Sequence, residues 1–226
     1  MDNVLPLGGD LDEIDLLEEI ERAFAVEFPR DLRHCHTVGD LHRILLALIP
    51  HAERAKTGCL AAKAYFVLSR AIRKRDPARV IRPSTELVNM VRRRFGHHRW
   101  RRQLKEDTGL KMPALEGTGW GGMLFLISIG LPLAGSAAHG WIGALMALPI
   151  SLGLLALSHR IARFRTRLRT LGDLAQAVAA LNVAALASPN DPLREREIWA
   201  ALQGVIRNDL GWDGSVLPTT RFFPEK

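Results

Sequence analysis

The chain has 226 residues, 47% of them hydrophobic and 24% charged, with a formal net charge of +7. That balance excludes a disordered polymer and a polytopic transporter, and the length holds one or two small domains with cores of their own. Two cysteines, Cys35 and Cys59, make no CxxC pair and no even-numbered framework, which excludes a disulfide-stapled secreted fold and favours a reducing compartment.

The net charge conceals four zones. Residues 1–50 hold 4 basic and 11 acidic side chains, residues 51–116 hold 17 and 6, residues 117–158 hold none, and residues 159–226 hold 10 and 7. Charge segregated in this way marks separate segments of an all-α chain. In the first zone the apolar spacing predicts helices over 11–24 and 38–49. Leu16, Leu17, Ile20, Phe24, Val38, Leu41, Ile44 and Leu45 form the expected N-terminal core. Asp12, Glu13, Asp15, Glu18, Glu19 and Glu21 crowd the first helix. They are either a docking face for a basic protein surface or the solvated face of an amphipathic helix.

The second zone predicts helices over 58–74, 85–95 and 98–108. Arg92, Arg93, Arg94, Arg99, Arg101 and Arg102, interleaved with His97, His98 and Trp100, suit phosphate contacts. They stand just before a long apolar run, so anionic lipid headgroups are the expected partner and nucleic acid is not.

The third zone contains two uncharged runs of bilayer length. These are residues 118–135 (TGWGGMLFLISIGLPLAG) and 141–158 (WIGALMALPISLGLLALS), joined by a tip at 136–140. Trp120 and Trp141 sit at run ends, and Pro132 and Pro149 lie inside, where a neighbouring helix can re-satisfy freed carbonyls. The pair is expected to be a transmembrane helical hairpin; the competing assignment is a buried hairpin within a soluble core. Arginines flank it on both sides, with Arg160, Arg163 and Arg165 following the second run. The positive-inside rule then puts both termini in the cytoplasm, and in a bacterium the membrane is the inner one. Nothing in the acidic head reads as a signal peptide. The fourth zone predicts helices over 159–169, 171–187 and 193–210.

The first and fourth zones share a repeat. Thr37-Val38-Gly39-Asp40-Leu41 and Thr170-Leu171-Gly172-Asp173-Leu174 open segments with six of twelve positions identical, at an offset of 133. Each threonine is placed to cap a helix whose first turn holds an aspartate. Farther on, Pro83-Ser84-Thr85 matches Pro218-Thr219-Thr220 at an offset of 135, each after an amphipathic helix. The near-constant offset points to a duplication on either side of the apolar hairpin.

Residues 9–49 resemble part of an acyl carrier protein. Gly9-Asp10-Leu11-Asp12-Glu13 is similar to the family's Asp-Ser-Leu opening of its second helix. Ile20-Glu21-Arg22-Ala23-Phe24 through Pro29 is similar to the end of that helix, and residues 37–48 to the last helix. Residues 198–223 resemble the family's first helix and following loop, with Leu210-Gly211-Trp212 and Phe222-Phe223 at characteristic places. Taken tail then head, the segments are in carrier order; as encoded, they are permuted around the apolar hairpin. The resemblance implies carrier-like small helical bundles. It also places Asp10 where the family has its modified serine, and a carboxylate provides no hydroxyl for attachment of a phosphopantetheine arm.

The organisation expected is therefore carrier-like helices over 1–50 and a basic helical segment over 51–116 with the first helix-plus-Pro-Thr loop. Two transmembrane helices follow over 117–158, then a cytoplasmic helical tail over 159–226. The missing first helix of the N-terminal bundle is residues 193–223, from the same chain or from the partner in a homodimer, or else the segment 61–87. His34, Cys35, His36 and His42 lack a zinc-ligand spacing, and no Ser-His-Asp order or HExxH is present, so neither metal nor cofactor nor enzymatic activity is expected. The function expected is a non-catalytic, membrane-anchored carrier-like adaptor that recruits acyl-chain or polyketide-type enzymes. Asp12, Glu13, Asp15, Glu18 and Glu19 would dock the partner. Arg92, Arg93, Arg94, Arg99, Arg101, Arg102, Arg160, Arg163 and Arg165 would meet membrane lipids. The alternatives are a covalent carrier using Ser84 or Ser215 and an anionic-lipid-binding surface protein.

Overall fold

The computed structural model describes residues 3–7, 10–29, 31–32, 34–49, 59–91, 96–116, 119–160, 163–164, 167–187, 192–212 and 214–223. The side chains at 10, 11, 119–121, 135, 138–139, 143–144, 157–160 and 163 lie outside that description. The chain is all-α in class. The helices are α1 (Asp10–Phe24), α2 (Val38–Leu48), α3 (Leu60–Arg75), α4 (Leu87–Met90), α5 (His97–Thr108), α6 (Gly119–Arg160), α7 (Leu171–Leu181), α8 (Val183–Leu186) and α9 (Glu195–Asp209). Two short strands, β1 (Leu115–Glu116) and β2 (Arg163–Phe164), pair antiparallel with Leu115 opposite Phe164.

Two compact units divide the chain. The first comprises Met1–Thr85, Leu104–Pro113 and Thr170–Lys226; the second comprises Glu86–Gln103 and Ala114–Arg169. In the first unit α7 is the central helix. It buries Leu171, Leu174, Ala175 and Val178 and packs between α3 and α9. Helix α9 also packs on α1 and α2, so the tail covers the head within one chain. Leu16, Ile20, Val38, Leu41 and Leu45 are fully enclosed and Phe24 nearly so, whereas Leu17 and Ile44 are only half-buried. Both stand at the margins of apolar stripes whose centres suffice to cover the neighbouring helix.

The two halves of the repeat are closed in the same way, each helix start by its own capping box and by the Pro-Thr loop of the other half. Thr37 accepts from the Asp40 N–H at 3.2 Å while Asp40 accepts from the Thr37 N–H at 2.8 Å; Thr170 and Asp173 repeat both bonds at 3.2 and 2.8 Å. The remaining first-turn donors are taken by the Pro-Thr loops. Val38 N–H donates to Thr220 O and Gly39 N–H to Pro218 O, both at 2.9 Å. Leu171 N–H donates to Thr85 O at 2.9 Å and Gly172 N–H to Pro83 O at 2.8 Å. The second position leaves no room for a Cβ at Gly39, where it would lie 2.7 Å from Pro218 O, and little at Gly172, where it would lie 3.1 Å from Pro83 O. Each loop is held from behind at the equivalent carbonyl: Tyr65 Oη donates to Ile81 O at 3.2 Å and Gln203 Nε2 to Val216 O at 2.7 Å.

Three expected helices differ. Of the range 159–169, residues 159–160 end α6, 163–164 form β2 and Arg167 lies in a turn, while 161–162 and 165–166 lie outside the described residues. The alternation of arginine with Phe164, Leu168 and threonine has the period of a strand. Over 85–95 only Leu87–Met90 is helical, and residues 92–95 lie outside the described set. The helix expected over 171–187 breaks at Asn182, whose side chain turns to another segment.

In the second unit the dominant element is α6, 42 residues long. Gly140 within it has φ +63°, which a right-handed helix cannot continue through. Among its described side chains Ser128, Ala147 and Ser151 are buried, and Ser128 stands twelve residues before Gly140 while Ser151 stands eleven after it. Among the described residues no helix is long and apolar enough to cross a membrane.

Candidate functional site

Three surfaces hold the residues singled out by sequence. The first is α1. Asp12, Asp15 and Glu18 are exposed, Glu13 is half-buried, and Ile14 stands exposed among them. Exposed carboxylates and one exposed apolar side chain thus share this stretch of α1. Glu19 is not among them: it is 7% exposed, and both its oxygens accept from Lys111 Nζ at 2.5 Å while Oε2 also meets Arg22 at 2.6 Å. Enclosed between these two cations, Glu19 ties α1 to the segment after α5. Lys111 is in turn fixed by Asn182, whose Oδ1 accepts the Lys111 N–H at 2.7 Å and whose Nδ2 donates to Lys111 O at 2.8 Å. Asp10 opens α1, and its side chain lies outside the described set.

The second surface is apolar and belongs to α6. Met123, Phe125, Leu126, Ile129, Leu133, Trp141, Met146 and Leu152 are among its exposed large side chains, with Met146 75% exposed. Of the expected headgroup residues, Arg99, Arg101 and Arg102 lie on α5, where Arg99 and Arg102 are exposed. Arg160 ends α6 and Arg163 lies in β2, while Arg92, Arg93, Arg94 and Arg165 fall outside the described residues. In the same unit His97 and Trp100 both meet Phe164 edge-on, with ring centres 5.7 Å apart in each pair.

The third surface had no place in the expectations. A cavity of about 460 Å3 beside the start of α2 is lined by Thr37, Gly39, His42, Arg43, Thr219 and Arg221. His42 rests edge-on against Trp199 at 5.1 Å. The available sequence signal was the mismatch inside the repeat, where His42 and Arg43 face Ala175 and Gln176.

Nucleophilic chemistry finds little support at the remaining candidates. Burial first, then the Asp40 and Glu13 carboxylates, push the Cys35 thiol up to about 11, so it stays protonated at neutral pH. Ser84 and Ser215, the alternative attachment sites, are both exposed on the two Pro-Thr loops. No family model, no curated protein and no solved structure matches the chain.

Proposed function

We propose that this chain is a non-catalytic, membrane-attached, carrier-like adaptor. Helix α6 folds back at Gly140 into a lipid-inserted hairpin, and the acidic side chains of α1 dock a basic surface on an acyl-chain or polyketide-type enzyme at the cytoplasmic face of a bacterial inner membrane. The observation that supports membrane attachment is the exposed apolar surface of α6, on a stretch with no charged side chain from residue 117 to 158. Leaving that surface in water costs about 25 cal/mol per Å2, whereas acyl chains accept it without loss. The positive φ of Gly140 and the near-symmetrical burial of Ser128 and Ser151 about it fit two antiparallel halves that share a seam of small residues. The exposed arginines of α5 suit anionic headgroups beside such a hairpin.

The docking half of the proposal rests on the acyl-carrier resemblance and on the exposed Asp12, Asp15 and Glu18, with Ile14 exposed on the same helix. Charge of one sign beside an apolar anchor gives orientation and speed to an encounter with a basic partner. The test is fractionation of native membranes followed by intact mass. The protein is expected to stay with membranes through high-salt and alkaline washes, to need detergent, and to show its unmodified mass. Release by the washes alone sinks the hairpin. A mass increment of phosphopantetheine sinks the non-covalent adaptor and makes Ser84 or Ser215 the attachment site to map.

A further inference from the structure

We infer that the chain associates with further copies of itself, the acidic face of α1 in one copy lying along the basic face of α3 in the next. Both faces belong to the first unit, and both are exposed in the single chain, so neither covers the other. On α3, Ala62, Phe66, Arg70 and Arg73 recur at helical spacing and all are exposed, Phe66 by 69%. The opposite side of the helix is buried through Leu60, Ala64, Leu68 and Ile72. The nearby Arg75 and Arg79 are paired with Asp107 and Asp76, whereas Arg70 and Arg73 enter no ion pair among the described residues. On α1, Ile14, Asp15 and Glu18 share one exposed face. Asp15 likewise enters no ion pair among the described residues. Glu18 lies 3.6 Å from Arg22 on its own helix, with side chains 60% and 58% exposed, a contact that holds neither firmly.

The two faces match in register. Glu18 follows Ile14 by four positions and Arg70 follows Phe66 by four. Two helices side by side in parallel therefore bring Ile14 against Phe66 and Glu18 against Arg70 together, whereas an antiparallel pair sets Glu18 beside Ala62. Opposite charge orients the encounter, and like faces repel, so α1 does not pair with α1 nor α3 with α3. The contact is heterologous, and assembly proceeds to rows or rings instead of stopping at a dimer. One helix face on each side is a small contact, which membrane attachment assists by raising the local concentration. The same face of α1 is the one proposed to dock an enzyme, so assembly and docking exclude one another. These last two consequences rest on the proposed function; the contact between copies does not.

The full chain in neutral detergent is labelled in two colours and followed by energy transfer as its concentration rises, with sedimentation giving the size. Transfer is expected to rise with concentration and weaken with salt, and sizes to pass beyond the dimer. Two charge reversals address the faces: Asp15→Lys with Glu18→Lys on α1, and Arg70→Glu with Arg73→Glu on α3. Each variant alone is expected to need about tenfold or more concentration for half-association, because like charges then face each other. Mixed in equal amounts, the two are expected to associate again, since an acidic and a basic face then meet at every contact. Recovery also shows that both variants are folded; where a double variant does not fold, Glu18→Lys and Arg70→Glu are mixed in its place. The inference is overturned if the unaltered chain stays a monomer, if either variant alone associates as well as it does, or if the mixture does not recover. Weakened binding of the α3 variant to phosphatidylserine vesicles, without recovery on mixing, assigns the basic face to lipid and likewise overturns the contact. Retention in washed membranes is measured separately, so loss of association leaves the proposed function standing, and release by the washes leaves association measurable.

Discussion

Asp40 and Asp173 occupy the same place in two copies of one motif, and each closes a capping box with the threonine three residues before it. For Asp40, burial pushes the carboxyl up, but the Thr37 hydroxyl, the Thr37 and His36 N–H groups and Arg43 together hold it below its ordinary value of 3.8. A depressed folded value means that the stabilisation is complete above the unfolded pKa and is lost as pH falls through the folded one. Asp40→Asn is therefore expected to cost about 1 kcal/mol at pH 7 and to approach the unaltered protein as the pH falls below 3.8, checked by urea unfolding from neutral to acid pH. The glycine one place earlier is set by contact. Gly39→Ala meets Pro218 O at 2.7 Å and Gly172→Ala meets Pro83 O at 3.1 Å. The first is expected to lose about 2 kcal/mol and the second about 1 kcal/mol, in the same unfolding assay. These residues were legible because capping is local: a threonine, a glycine and an aspartate suffice to set it. Glu19 was not, since its partner Lys111 lies 92 positions away and nothing in helical spacing distinguishes a buried carboxylate from a solvated one.

At the level of elements, helix periodicity located α1, α2, α3, α5 and α9 within two or three residues at each end. It failed where a side chain had business elsewhere or the pattern changed period. Asn182 divides α7 from α8 because its amide is committed to both backbone groups of Lys111 and to Val178 O at 2.7 Å. After α6, Arg163 and Phe164 pair as a strand with Glu116 and Leu115 of β1. Helix approach is likewise a matter of contact. A Cβ on Gly204 of α9 would lie 2.5 Å from the Cβ of Ala180 on α7. Gly204→Ala is expected to destabilise by about 2 kcal/mol despite the better helix propensity of alanine. Adding Ala180→Gly is expected to recover most of that loss in thermal unfolding. An additive pair would mean that the two helices do not meet there.

At the level of the whole chain, the head of the sequence is covered by its tail. Helix α9 supplies Ile198, Leu202, Val205 and Ile206, all fully enclosed, and packs against α1, α2 and α7. A chain ending at residue 190 is expected to lose cooperative melting of its helices, because Leu16, Ile20, Leu41 and Leu45 would lose part of their cover. Full helicity with a sharp transition would show that α1 and α2 fold without the tail. Capping boxes, Pro-Thr loops and the uncharged stretch followed from the amino-acid sequence by itself, because each depends on residues close together in the chain. Which helix completes the head, which carboxylate is buried, and where His42, Arg43 and Arg221 converge were decided by tertiary structure alone. Those outcomes depend on which surfaces meet, and segments far apart meet through the burial of apolar faces whose pairing no local pattern encodes.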